Sequence, residues 1–344
     1  MSPVNPYASE PAVPVLAHSL LPQSPSAHRD KSQTWNLRDD LDVGFQSPNR
    51  TFRSGIVIGI STLRSKDNNN DDDEYVGRLP RSLLAGYLHK YPPSSPFPRA
   101  FIIHPATYDN FSPRKLLSSL LAQSHLPPLD REEAISRLDS VQLFPVFDIA
   151  AAAQALSEVS DALHRHREEQ RQKPHHHQDQ DQDHEHPTIS SNNPDTPALL
   201  IVVGLDGLAE GTVRASNTVR GAAVLTTTLH SLTRLSRIHD SFLSVMLVNT
   251  SGLGSSSLYT NPPNKFQHRR VQRDGGAYSS VREDGIHSVF CGSESSLPLS
   301  LLMRTLDQGI DMHLLLSTVK TSTVVEVIKD RVGDGVGRWC IWDR

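Results

Sequence analysis

Short, unbroken apolar runs recur along this chain of 344 residues. They are Gly55–Ile60, "RAFIIH" at Arg99–His104, "ALLIVVGL" from Ala198 and "SFLSVMLVNT" from Ser241. A strand with one face in water alternates apolar and polar residues. A continuous run belongs to a strand covered on both faces, the mark of a parallel sheet between helices. The stretches between the runs supply those helices. "RSLLAGYLHKY" is one. "SPRKLLSSLLAQ" starts with Ser112 as N-cap and Pro113 in the first turn. "DSVQLFPVF" adds a strand, and Asp148 caps "DIAAAAQALSEVSDALHRH". A long helix spans about Asn217 to His239, with Val219, Ala223, Leu225, Leu229, Leu232 and Leu235 at helical spacing. Alternating strands and helices predict βαβ units in an open sheet covered on both sides. The tail reads as strands, "GIHSVFC", "DMHLLLSTV", "STVVEVIKDR" and "GRWCIW". They extend the sheet along one edge, with "DRVGDGVGR" as a glycine-bearing hairpin turn. In the last strand the Trp339–Trp342 pair is expected in the core.

Hydrophobic residues make up 37% of the chain, low for a compact fold. The shortfall is local. Residues 1–50 are rich in Pro, Ser and Asn and are expected to be a disordered arm, in which Trp35 and Leu37 dock as a short strand or anchor a partner. From Arg165 to Pro197 a polar, low-complexity run reads as an insertion. The core domain is thus 51–344, interrupted at about 165–197. The net charge of −4 gives no global pull toward nucleic acid or membrane, so any such contact needs a local patch. Cys291 and Cys340 read as reduced core thiols, because nothing signals secretion. No basic leader opens the sequence and no window reaches membrane-spanning length. A soluble intracellular protein without a membrane partner is expected.

Four pieces, in this order, resemble the RecA-like recombinases, most closely the eukaryotic, fungal-type recombinase paralogues. They are "FIIHPATYDNFSPRKLLSSLL", "LDSVQLFPVFDIAAAAQAL", "LLIVVGLDGLAEGTVRASNTVRGAAVLTTTLHSLTRLSR" and "DMHLLLSTVKTSTVVEVIKDRVGDGVGRWCIW". The match covers most of 51–344 apart from insertions, and it rests on the ordered set more than on any one motif. The resemblance implies a RecA-like P-loop NTPase fold, a mostly parallel central sheet flanked by helices with antiparallel strands at the C-terminal edge. It implies an accessory role in homologous recombination and DNA repair, in the nucleus, alongside other RecA-like paralogue subunits and single-stranded DNA. A scaffold subunit of another RecA-like assembly, such as the accessory ring of the Elongator tRNA-modification machinery in the cytoplasm, is the alternative.

A phosphate loop needs glycines whose N–H groups surround the phosphates, a lysine for their charge and a Ser/Thr for magnesium. After Gly55–Ile60 the pattern G-x-x-x-x-G-K-[ST] is absent. What remains is Ser61, Thr62 and Lys66, followed by Asp67, Asp71, Asp72, Asp73 and Glu74, whose charge opposes a triphosphate. The family's metal-ordering acidic position falls on Gly204. Asp206 arrives two residues late, and Asp206–Gly207 also reads as a turn pair. No ATP, magnesium or other cofactor is expected and no catalytic residue is assigned. An ATPase with an unorthodox loop, built on Ser61, Thr62, Lys66 and Asp206, is the competing reading.

The loop Ser251–Asp284 lies where the resembled family opens its second DNA loop. Lys265, Arg269, Arg270 and Arg273 there are interleaved with Phe266 and Tyr278, a mixture suited to phosphate contact and base stacking. A solvated loop reads equally well. Arg214 and Arg220 match the first DNA loop by position, and also read as surface arginines at a capped helix start. His175, His176, His177, His184 and His186 sit in low-complexity sequence without fixed geometry, so no metal site is assigned. No G-x-S-x-G elbow follows a strand.

Overall fold

The computed structural model describes residues 35–37, 39–40, 51–63, 72–91, 97–123, 127–172, 197–253, 288, 301–319 and 322–342. One sheet of eight strands organises them. β1 is Val57–Thr62, β2 Ala100–Pro105, β3 Val141–Val146, β4 Ala198–Val203 and β5 Leu243–Val248. β6 is Met312–Val319, β7 Ser322–Asp330 and β8 Trp339–Trp342. Their order is β3-β2-β4-β5-β1-β6-β7-β8. Pairings from β3 through β6 are parallel, and β7 and β8 add antiparallel strands at the edge. This is the mostly parallel, helix-flanked layout with an antiparallel C-terminal edge that the RecA-like resemblance implies.

Both faces are apolar because the runs are continuous. On one face Ile58, Ile60, Ile102, Ile201 and Leu314 meet α1 (Asp72–Lys90), α2 (Pro113–Leu121) and α3 (Arg131–Leu138). On the other, Val57, Phe101, Leu200, Val245 and Leu315 meet α4 (Ile149–Gln172), α5 (Leu205–Ala215), α6 (Thr218–Ile238) and α7 (Leu301–Gln308). Of the two caps read from the sequence, Asp148 is in place, whereas Ser112 precedes α2 with no side-chain cap bond; Asn217 caps a further helix. Asp148 Oδ1 accepts from Ala151 N at 2.7 Å, and Asn217 Oδ1 accepts from Arg220 N at 2.8 Å. Each satisfies an amide that the helix itself leaves without a partner.

Several expectations change. α4 continues to Gln172, so Arg165–Gln172 are helical and not the start of an insertion. Leu37 is 1% exposed within the core, Trp35 packs against that core, and the Trp35 indole donates to Asp40 at 2.8 Å. This stretch therefore belongs to the folded unit, with helical residues at Leu37, Asp39 and Asp40 in place of a short strand. On α6 the buried stripe begins at Gly221, and Val219 is 76% exposed. The reason is close packing on α5: a Cβ at Gly221 would collide with Val213, and that approach turns Val219 outward. In β8 Cys340 and Trp342 face the core while Trp339 and Ile341 face out, so only one tryptophan of the pair is a core residue. The hairpin before β8 is pinned by Asp330, whose carboxylate accepts from Val332 N at 3.0 Å and Gly335 N at 2.9 Å. α5 and α7 were not anticipated at all.

Candidate functional site

In open α/β sheets ligands bind outside the carboxyl ends of the parallel strands. Here, among the described residues, the ends of β1 and β4 carry side chains that already have partners.

At the end of β1, Ser61 is fully buried and Thr62 is 5% exposed; both lie in the strand and not in a loop. Ser61 Oγ accepts from Asn249 Nδ2 at 2.8 Å and lies 2.8 Å from His313 Nε2. His313 Nδ1 faces Asp307 Oδ1 at 3.4 Å, and Lys329 Nζ donates to Asp307 Oδ2 at 2.6 Å. β1, β5, β6, β7 and the end of α7 are thus joined by one polar chain. Burial pushes the His313 pKa down, against the smaller opposing pull of Asp307. Burial pushes Asp307 up, but its bonds to His313 and Lys329 outweigh that and hold it below the usual carboxylate range. The order Ser–His–Asp is that of nucleophilic hydrolases. Ser61 and His313 are 0% and 1% exposed, however, so no substrate carbonyl can reach the hydroxyl. The chain of bonds is a tether between strands, as buried polar groups in an apolar sheet require.

At the end of β4, Gly204 takes the left-handed conformation (φ 69°) and caps α5. A Cβ there would stand 2.9 Å from Pro105 Cγ. Conformation and space both disfavour an acidic side chain at the position where the resembled family orders magnesium. Asp206 sits in the first turn of α5, 2% exposed, and not in an Asp-Gly turn. Its Oδ2 accepts from Thr250 N at 2.9 Å and Ser251 N at 2.5 Å, and Oδ1 faces Thr250 Oγ1 at 3.3 Å. Both oxygens are committed to the chain leaving β5. Such a carboxylate is a backbone cap, and the residues here do not fit a magnesium–nucleotide complex.

Of the other assigned residues only Arg214 and Arg220 are described, and both are exposed on helices beyond this site. Much of the stretch read from the resemblance as a first DNA loop is helix α5. Arg214, in its last turn, pairs with Glu210 at 2.8 Å on the exposed surface. Arg220 is exposed in the first turn of α6. Lys66, Lys265, Arg269, Arg270, Arg273 and the histidine cluster lie outside the described residues. Among the described residues no three potential metal ligands cluster, and no helix is long and apolar enough to cross a membrane. Sequence reasoning missed Asn249, Asp307, His313 and Lys329. The available signal was His313, a polar residue inside the apolar run "DMHLLLSTV", since such a residue needs a buried partner.

No family model matches the chain, and no curated protein matches it. Among solved structures it is similar to the RadB recombinase, at 14% identity, over 90% of this chain and 93% of that one, with a TM-score of 0.44. A likeness of that degree does not decide chemistry.

Proposed function

We propose that this chain is a non-catalytic RecA-like subunit, an accessory factor in homologous recombination and DNA repair. The observation that carries the non-catalytic part is the end of β4. The metal-ordering position is a left-handed glycine against Pro105, and the nearest carboxylate, Asp206, already holds two backbone amides. The fold is kept as a scaffold, with no need of ATP or magnesium. The recombination role rests on the ordered sequence resemblance. Its partners are other RecA-like subunits and single-stranded DNA, met in the nucleus through Lys265, Arg269, Arg270 and Arg273, with Arg214 and Arg220 beside them.

Titration calorimetry with ATP and magnesium tests the first part. No heat of binding is expected; micromolar binding weakened by Lys66→Ala would overturn it. Purification of the assembled complex tests the second. Recombinases co-purifying support the assignment, and tRNA-modification factors in their place replace it. Changing Arg269, Arg270 and Arg273 together to Ala should weaken binding to single-stranded DNA and flatten its salt dependence.

A further inference from the structure

A groove of about 450 Å³ runs between α6 and α7, away from the strand ends. Its floor is apolar. Leu229 lines it, and the hydroxyls of Thr226 and Thr305 turn back onto the Ala222 and Leu301 carbonyls at 2.8 and 2.9 Å, which leaves their methyls. Gly309 sets the helix separation, because a Cβ there would stand 3.1 Å from Leu229 Cδ2. The rim is basic. His230, Arg234 and Arg237 follow one another along one face of α6, and no carboxylate is among the described lining residues. Arg237 is held by the Gly55 carbonyl and by Asp311 at 2.7 Å. Arg234 and His230 have no such partner among the described residues. An apolar floor keeps water from beneath a guanidinium and strengthens its attraction for an anion.

The chain itself carries a matching anion. Residues 178–185 read "QDQDQDHE", so Asp179, Asp181, Asp183 and Glu185 alternate. In an extended segment they share one face about 6.6 Å apart. Along α6 His230 and Arg234 are separated by a rise of about 6 Å. The attachment points are also close. Arg167, near the end of α4, donates to Ile238 O at 3.1 Å, and Ala198 at the start of β4 donates to Phe242 O at 2.8 Å. The described residues that flank the 173–196 segment, Arg167 and Ala198, are therefore tied to Ile238 and Phe242, at and just beyond the C-terminal end of α6 that bears Arg234 and Arg237. The seven residues from Gln172 to Asp179 can span up to about 23 Å, against a helix diameter of about 10 Å.

We propose that the acidic run Asp179–Glu185 docks in the α6–α7 groove of its own chain, its carboxylates on Arg234 and His230. Tethering supplies an effective concentration in the mM range, so a weak contact suffices to fill the groove. The probe is a fluorescent peptide of residues 178–186. The full-length chain with those residues replaced by a Gly-Ser stretch of equal length is expected to bind it in a salt-sensitive way. So is the chain carrying Asp179→Asn, Asp181→Asn, Asp183→Asn and Glu185→Gln. The unmodified chain, its groove already filled, should bind at least tenfold more weakly. Arg234→Ser in the vacated chain should weaken the peptide at least tenfold with an unchanged circular dichroism spectrum. No binding to either vacated chain, equal binding to the unmodified chain, or indifference to Arg234→Ser would each overturn the assignment.

Discussion

The end of β4 and the α6–α7 groove both carry charged side chains, yet they use them in opposite ways. Asp206 is buried; its Oδ2 holds the Thr250 and Ser251 amides and its Oδ1 accepts from the Thr250 hydroxyl. Arg234 is exposed at the rim of a cavity, with no partner among the described residues. A charge that already satisfies backbone groups is part of the scaffold. A charge aimed into an open, apolar-floored groove is available to a ligand. In this molecule the place where an α/β enzyme does its work is the committed one.

The strongest way to break that contrast is to remove the committed charge. Asp206→Ala leaves two part-buried amides without acceptors, each worth about 1 to 3 kcal/mol. A loss of about 3 kcal/mol in urea unfolding is expected, with α5 loosened from the chain after β5. If stability were unchanged, Asp206 would be free for another role and the β4 end would have to be reconsidered as a metal site. Next in size is Gly204→Asp, which restores the acidic residue at the strand end. The left-handed backbone and the contact with Pro105 together should cost about 2 kcal/mol. Calorimetry should find no gain in magnesium-nucleotide binding. A gain would show that the strand end can still open.

How much of this was visible beforehand follows from where each interaction closes. The strands were readable because both faces of the sheet are covered, so the runs need no alternation. The start of α6 was readable because Asn217 caps it locally. α5 was not, because Gly207 and Gly211 make "LDGLAEGTVRA" look like a loop, and the helix is held by bonds from Asp206 to residues 44 and 45 positions away. The position of Asp206, two residues beyond Gly204, was visible, but its role as a cap was not. Ser61 reads locally as a phosphate ligand, yet its hydroxyl faces Asn249 and His313, the latter 252 residues further on. Bonds that span most of the chain leave no local pattern.

A third test concerns a buried imidazole that the fold keeps neutral near pH 7. His239, the C-cap of α6, is 1% exposed, with both ring nitrogens unpartnered. It packs edge-on against Phe242 and against His164 of α4, with Arg167 nearby. Burial, then His164 and Arg167, pull its pKa from 6.5 to about 4. The unfolded chain therefore takes up this proton at a higher pH than the fold does. Its contribution to stability is whole above pH 6.5 and is lost as pH falls toward 4. Between pH 7 and pH 5 the loss should be about 1 to 2 kcal/mol. His239→Phe keeps the ring and removes the nitrogens, so stability at pH 7 should hold or rise. The acid loss should shrink by the same amount in thermal melts taken across that range. An unchanged pH profile would move the effect to His313, which burial lowers in the same direction.

The smallest expected effect sharpens the contrast most. Arg234→Ser, at an exposed position with no described partner, should change unfolding stability by less than about 0.5 kcal/mol. Arg237→Ser should be worse, because that side chain ties α6 to the Gly55 carbonyl and to Asp311 ahead of β6. The two arginines are three residues apart on one helix face, so their environments differ mainly in commitment. Urea unfolding of the pair, measured side by side, separates a structural guanidinium from an available one. If Arg234→Ser destabilised the fold as much as Arg237→Ser, Arg234 would be part of the scaffold as Asp206 is, and the groove would have no uncommitted guanidinium to offer a ligand.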